Sequence, residues 1–307
     1  MAHKPFGSGG VSRQMLNIMQ IAFLGLGIMG RRMAQNLLAG YPTLRVWNRS
    51  PEPRQALADA GAQVADTPAA AVQNADVVIT MLAHPEAVAE VAWGEGGFLP
   101  HVPAGALWMD CSTVNPSFIQ QAAQQAQAHG VRLIDAPVAG SKPQAEAAQL
   151  AFLVGGAEAD VNQARPLMEQ MGRNVLHVGP LGHGGSLKML VNAMLAQSMV
   201  MFAEAVQLGE RMGLDRTFLL DTLPQLPVAA PFLQAKAEKI KAGDYDAQFP
   251  LALMHKDLHL AALTAYEQGQ PLYLANLAKE LYADAARDER LAWLDFAAVY
   301  RSLARKG

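Results

Sequence analysis

Lys188 and Asn192 are the two residues best placed by type and spacing to do chemistry. They stand four apart in an otherwise apolar stretch with helical spacing, so one helix face carries both. A lysine beside a cleft can protonate an oxygen as a carbonyl is reduced. An asparagine next to it can hold the amine or the same oxygen. The bland alternative is a lysine whose stem lies along apolar surface, with an ordinary helix asparagine as neighbour.

Carbonyl reduction needs a hydride donor, and residues 21–40 offer a place for one. The apolar run Ile21-Ala22-Phe23-Leu24 enters Gly25-Leu26-Gly27-Ile28-Met29-Gly30, and residues 31–40 follow with helical spacing. Gly25 suits the sharp turn, Gly27 the approach of a pyrophosphate, and Gly30 close packing of helix on strand. Free N–H groups at the helix start, around Ile28 and Met29, would face the phosphates. A glycine-rich turn in some other α/β domain is the competing reading. Farther on, a second strand ends in Asn48-Arg49-Ser50, with no carboxylate to take a ribose 2′-hydroxyl. All three supply donors, and an arginine can grip a 2′-phosphate with two hydrogen bonds. That favours NADP (NADPH) over NAD, against the alternative of a solvated loop arginine.

The elements that must position these residues follow from pattern. Strand signals fall at 21–25, 44–47, 62–64, 75–82, 106–110, 131–135, 151–156 and 174–178, with helical stretches between them. Alternation with short connections predicts a doubly wound, mainly parallel Rossmann-type sheet covered on both faces. Residues 181–185 read as a flexible, glycine-rich hinge. A long apolar helix is expected over 186–212, and helices at 216–223, 231–241, 251–268, 273–288 and 294–305 complete an all-α C-terminal domain. The expected division is a disordered extension at 1–18, an NADP-binding domain at 19–182, and a helical substrate and oligomerisation domain at 183–307.

Of the 307 residues, 51% are hydrophobic and 17% charged, and the formal net charge is −3. Such a chain buries a sizeable core and gives no electrostatic case for nucleic acid. Cys111 is the single cysteine, which excludes an intrachain disulfide framework and a multi-cysteine metal site. No motif calls for a metal. One cysteine fits a reducing compartment, and a cytoplasmic location is expected. Residues 1–14 contain no apolar signal core. No run of about 18 uncharged apolar residues occurs, so no membrane span is expected.

Taken in order, the motifs resemble those of the β-hydroxyacid dehydrogenase family over about residues 19–305. That family includes 3-hydroxyisobutyrate dehydrogenases, tartronate semialdehyde (2-hydroxy-3-oxopropionate) reductases, plant-type glyoxylate/succinic semialdehyde reductases and, more distantly, 6-phosphogluconate dehydrogenases. Phe23 through Gly30 is similar to its cofactor signature, and Asp110-Cys111-Ser112-Thr113 to the segment near the nicotinamide. Asp135-Ala136-Pro137-Val138-Ala139-Gly140-Ser141 resembles the substrate motif. Residues 184–192 resemble the catalytic signature, and Lys256-Asp257-Leu258 the C-terminal pair.

The resemblance implies that Lys188 is general acid in reduction and base in oxidation, with Asn192 orienting it and the substrate. It implies that Met81, Leu82 and Ala83 line the adenosine and ribose side, that Thr113 meets the nicotinamide, and that Lys256 reaches across to the cofactor with Asp257 beside it. Ser112, Ala139, Gly140 and Ser141 would join Lys188 and Asn192 around the substrate. The chain departs at Ala139, where the family commonly has a serine that binds the substrate carboxylate. Gly140 and Ser141 could substitute, and the Gly-Ser-Lys sequence at 140–142 looks like the glyoxylate/succinic semialdehyde reductase branch. An intact Lys188 argues against the related imine reductases. The implied activity is NADPH-dependent reduction of a short aldehyde acid. Tartronate semialdehyde comes first, then glyoxylate or succinic semialdehyde, then oxidation of the hydroxy acid 3-hydroxyisobutyrate. A homodimer or homotetramer is expected. A non-catalytic dinucleotide-binding scaffold is the remote alternative.

Overall fold

The computed structural model describes residues 19–304, so the extension expected over 1–18 lies outside the described residues. Nine strands form one sheet: β1 (Ile21–Leu24), β2 (Arg45–Trp47), β3 (Gln63–Val64), β4 (Val77–Thr80), β5 (Leu107–Asp110), β6 (Arg132–Asp135), β7 (Val138–Ala139), β8 (Leu150–Gly155) and β9 (Gly172–Gly179). The order is β3-β2-β1-β4-β5-β6-β8-β7, with β9 also paired to β8. Strands β1 to β6 pair in parallel, and β8 runs antiparallel to β6 and β7. β1 lies between β2 and β4, so the chain order reverses beside the glycine loop, where open α/β sheets bind their ligands.

Helices α1 (Gly30–Gly40), α2 (Pro51–Asp59), α3 (Pro68–Ala71), α4 (Pro85–Trp93), α5 (Pro116–Ala128), α6 (Lys142–Glu146) and α7 (Glu158–Met171) connect the strands. Alternate residues of each central strand feed different cores. Phe23, Ile79 and Met109 pack on one side with α1 and α7, while Ala22, Val78 and Trp108 pack on the other with α4 and α5. Both faces are covered, which is why these strands read as unbroken apolar runs.

Beyond β9 every regular element among the described residues is helical: α8 (His183–Arg211), α9 (Arg216–Thr222), α10 (Leu233–Ala242), α11 (Leu251–Glu267), α12 (Tyr273–Ala286), α13 (Glu289–Ala292) and α14 (Val299–Ala304). By length and composition α8 could cross a membrane. Its Lys188, Asn192, Ala196, Met199 and Ala203 nevertheless form a continuous face buried against protein.

The hinge expected over 181–185 is not one. Only Gly182 takes the left-handed conformation (φ +92°); Gly184 and Gly185 already belong to α8. A Cβ on Gly184 would collide with the Leu153 carbonyl oxygen of β8. The glycines are there for close docking of helix on sheet. Asp135, at the end of β6, completes the joint. Its Oδ1 accepts from the Gly182 N–H at 2.6 Å and its Oδ2 from the Gly185 N–H at 2.7 Å.

Candidate active site

The glycine loop is held from three directions. Gly25 (φ +100°) donates its N–H to the Trp47 carbonyl at 2.9 Å, and a Cβ there would strike the Met81 carbonyl. A Cβ on Gly30 would run into the Gly25 carbonyl, so α1 begins tight against the turn. Asn48 Oδ1 accepts the Leu26 N–H at 2.8 Å, while Asn48 Nδ2 donates to the Ser50 carbonyl at 3.1 Å. Asn48 therefore ties the glycine loop to its own turn at 48–50. Arg49 and Ser50 are exposed at the same corner.

A dinucleotide fits this cradle. Gly27 lines a cavity, and a Cβ built on it meets nothing within 4 Å. Helix α1 opens with no side chain capping it, so its first-turn N–H groups have no side-chain acceptor. Ile28, Met29 and Gly30 line the cavity beside Gly27, and Met81, Leu82 and Ala83 follow from the end of β4.

Helices α8 and α11 supply a second group of residues. Asp257 is buried and central to it. Its Oδ2 accepts from Asn192 Nδ2 at 2.5 Å, and its Oδ1 lies 2.7 Å from Lys256 Nζ. Lys256 Nζ also donates to the Thr113 carbonyl at 2.7 Å, tying α11 to the loop after β5. Lys188 is only 8% exposed. Burial lowers its pKa from 10.5 to about 8, with Asp257 pulling it back up and Lys256 pushing it further down. An amine that titrates there can give or take a proton near neutrality.

Both groups open onto one cavity of about 330 Å³, which Thr113, Gly140, Lys188, Asn192 and Lys256 also line. Not every expected residue reaches it. Gly25 lies under the loop, and Asn48, Arg49 and Ser50 stand outside the lining. Ser112 is buried, and its Oγ accepts the Leu82 N–H at 2.9 Å. Ser141 caps α6, with its N–H and hydroxyl both donating to Gln144 Oε1. Ala139 pairs with Ala151 at the sheet margin. None of these three lines the cavity.

Val138 of the substrate motif also lines the cavity, and sequence reasoning missed Gln248, Phe249, Pro250, Leu253 and Trp293. Leu253 had a signal, lying three and four residues before Lys256 and Asp257 on the same helix face. Trp293 had none.

A polar chain ties the lining loops together. Asp110 Oδ1 accepts from Thr80 Oγ1 at 2.7 Å and from the Ser112 N–H at 3.1 Å. Burial raises the Asp110 carboxyl to about 6. The neighbouring Cys111 thiol is fully buried, and burial, then the Asp110 charge, pushes its pKa well up.

A phosphate-cradling loop and a proton-bearing amine on one cavity define an NAD(P)-dependent oxidoreductase acting on a CH–OH or carbonyl carbon. Residues 20–179 match the NAD binding domain of 6-phosphogluconate dehydrogenase, and residues 182–303 match the NAD-binding family of NADP-dependent 3-hydroxyisobutyrate dehydrogenase. The chain belongs to the β-hydroxyacid dehydrogenase family that contains the 3-hydroxyisobutyrate dehydrogenases. Glyoxylate/succinic semialdehyde reductase 2, chloroplastic, of Arabidopsis thaliana is 34% identical over 95% of this chain and 81% of its own. The 3-hydroxyisobutyrate dehydrogenase of Pseudomonas aeruginosa is 36% identical over 92% of this chain and 97% of its own. A solved Mycobacterium tuberculosis 3-hydroxyisobutyrate dehydrogenase with L-serine matches with a TM-score of 0.83 at 34% identity, covering 93% of this chain and 99% of that one.

Proposed function

We propose that this enzyme reduces a short aldehyde acid of the glyoxylate or succinic semialdehyde kind with NADPH. The observation that carries the reading is the buried Lys188 amine on the cavity that also contains the glycine loop. When bound, the nicotinamide supplies hydride. Lys188 in its protonated form gives a proton to the carbonyl oxygen as negative charge develops there, and its own charge stabilises that oxygen. Asn192, fixed by Asp257, orients the amine and the substrate. Lys256 and Thr113 keep the nicotinamide end in register with them.

NADP is our choice of cofactor because Arg49 and Ser50 stand exposed beside the loop with no carboxylate in the turn. Tartronate semialdehyde, placed first on the motifs, now follows the glyoxylate and succinic semialdehyde pair. The Arabidopsis relative carries the latter activity in its name, and the Gly140-Ser141-Lys142 sequence points the same way. Oxidation of a 3-hydroxyisobutyrate-like acid is the second reading, favoured by an amine poised to act as base near pH 8.

We assign dinucleotide binding to residues 19–182, and substrate binding and self-association to 183–307. A homodimer or homotetramer suits the exposed apolar side chains of α8. The lone buried thiol suits the cytoplasm.

NADPH oxidation with glyoxylate, succinic semialdehyde and tartronate semialdehyde tests the reading. One of the first two is expected to be turned over best, with kcat about 10²–10⁴-fold lower in Lys188→Ala. Equal rates in the two proteins would overturn the mechanism.

A further inference from the structure

A short aldehyde acid has two polar ends, and the arrangement above serves only one of them. Lys188 meets the carbonyl oxygen; with Ala139 in place of the family's serine, the carboxylate lacks a side-chain donor beside the Gly140 backbone. The other nitrogen-bearing side chains on the cavity are partly engaged, with one N–H of the Asn192 amide and one of the Lys256 ammonium left over. Asn192 Nδ2 is on Asp257, and Lys256 Nζ is on Asp257 and the Thr113 carbonyl. Trp293 is 68% exposed, so water reaches its indole. Gln248 is different, because it lines the same cavity as Lys188 and one end of its amide is fixed from behind.

That fixing comes from a buried ion pair outside the cavity. Lys236 Nζ donates to both oxygens of Asp295, at 2.8 and 3.0 Å, and stands 4.6 Å from the centre of the Phe296 ring. The same ammonium donates to Gln248 Oε1 at 3.3 Å. Asp295, which is fully buried, also accepts the N–H groups of Gln248 at 3.1 Å and Phe249 at 3.3 Å. One lysine–aspartate pair thus holds Gln248 by its backbone and, through its oxygen, by its side chain. With the oxygen committed to Lys236, the free end of the amide is the NH₂ group, which has donors only. Such second-layer support is what makes a binding group rigid.

We propose that Gln248 Nε2 is the donor for the substrate carboxylate, and that Lys236 and Asp295 are its positioning pair. The proposal rests on the aldehyde-acid reading of the cavity. It assigns the acid end to a neutral amide, which recognises a carboxylate without placing another charge beside Lys188.

The test compares succinic semialdehyde with butanal, which has the same chain length and no carboxylate. Gln248→Ala is expected to cut the preference for the acid by about 10- to 100-fold, through KM and not kcat, as loss of a hydrogen bond to a charged group does. Gln248→Glu keeps the size but repels the acid, and cuts the preference further. Calorimetry with unreactive succinate supplies a readout without turnover, and its affinity falls in parallel. An unchanged preference, or unchanged succinate affinity, in both variants overturns the proposal while leaving the functional reading intact. A wild-type enzyme inactive on every aldehyde acid with either cofactor overturns the functional reading, and this proposal with it.

Discussion

At the scale of single residues, the burial of Lys188 bears on the proposed chemistry and on stability. As the proposed general acid it must carry its proton, so kcat/KM for reduction should hold at lower pH and fall as pH rises through about 8. The oxidative direction should show the opposite limb. A pH profile without a break near 8 that depends on Lys188 would refute the role. The stability effect has a fixed sign. Folding lowers this pKa from 10.5 to about 8, which corresponds to roughly 3 kcal/mol against the charged form. That cost is present in full below about 8 and disappears as pH rises towards 10.5. Lys188→Met should therefore be more stable than wild type at pH 7 by up to about 3 kcal/mol, a gain lost above pH 10.5 in denaturant titrations. Arg49 tests the cofactor. Arg49→Ala should raise KM for NADPH about tenfold or more and leave that for NADH nearly unmoved, because only the former brings a 2′-phosphate. Equal changes in both would point to NAD.

The element that decides most is α8. Its first turn is docked on β8 and clamped by Asp135, and Lys188 comes one turn after Gly184. The lysine is therefore positioned from the sheet. Gly184→Ala gains helix propensity but drives a methyl into the Leu153 carbonyl, so it should cost about 1–3 kcal/mol of stability and reduce kcat. Full activity at wild-type stability would show that the docking is loose.

The same region shows where sequence reasoning falls short. Composition made Gly184 and Gly185 a hinge, because pattern reading cannot tell a glycine chosen for flexibility from one chosen for contact. The central strands were legible because they are apolar on both faces. The two-residue β7 and the short α6 left no periodic trace. In the site, residues near a motif were legible: the glycine loop, Lys188 with Asn192, and Lys256 with Asp257. Gln248 and Trp293 were not. Each is about 60 or more positions from Lys188, and only the packing of α11 and α13 brings them to it.

At the scale of the whole molecule, α8 has two faces. Lys188, Asn192, Ala196, Met199 and Ala203 are buried, whereas Leu190, Met194, Met201 and Leu208 form a stripe on the opposite side, each more than half exposed. On α12, Tyr273, Leu274 and Leu277 are also exposed. A second copy covering this stripe would bury the back of the helix that carries Lys188. Leu190→Glu with Met194→Glu should shift sedimentation from the oligomer towards the monomer. A wild type that already sediments as a monomer would refute the assembly.

Cys111 lies in the sheet core directly after β5, fully buried, and burial pushes its thiol pKa well up. A thiol-directed dye, spin label or crosslinker therefore finds no reactive partner among the described residues of the folded native chain. A cysteine placed by design at Trp293 would react, and one on the stripe of α8 would react only where no second copy covers it. The enzyme comes ready for spectroscopy of its cavity mouth and its assembly, with no need to remove a native cysteine first.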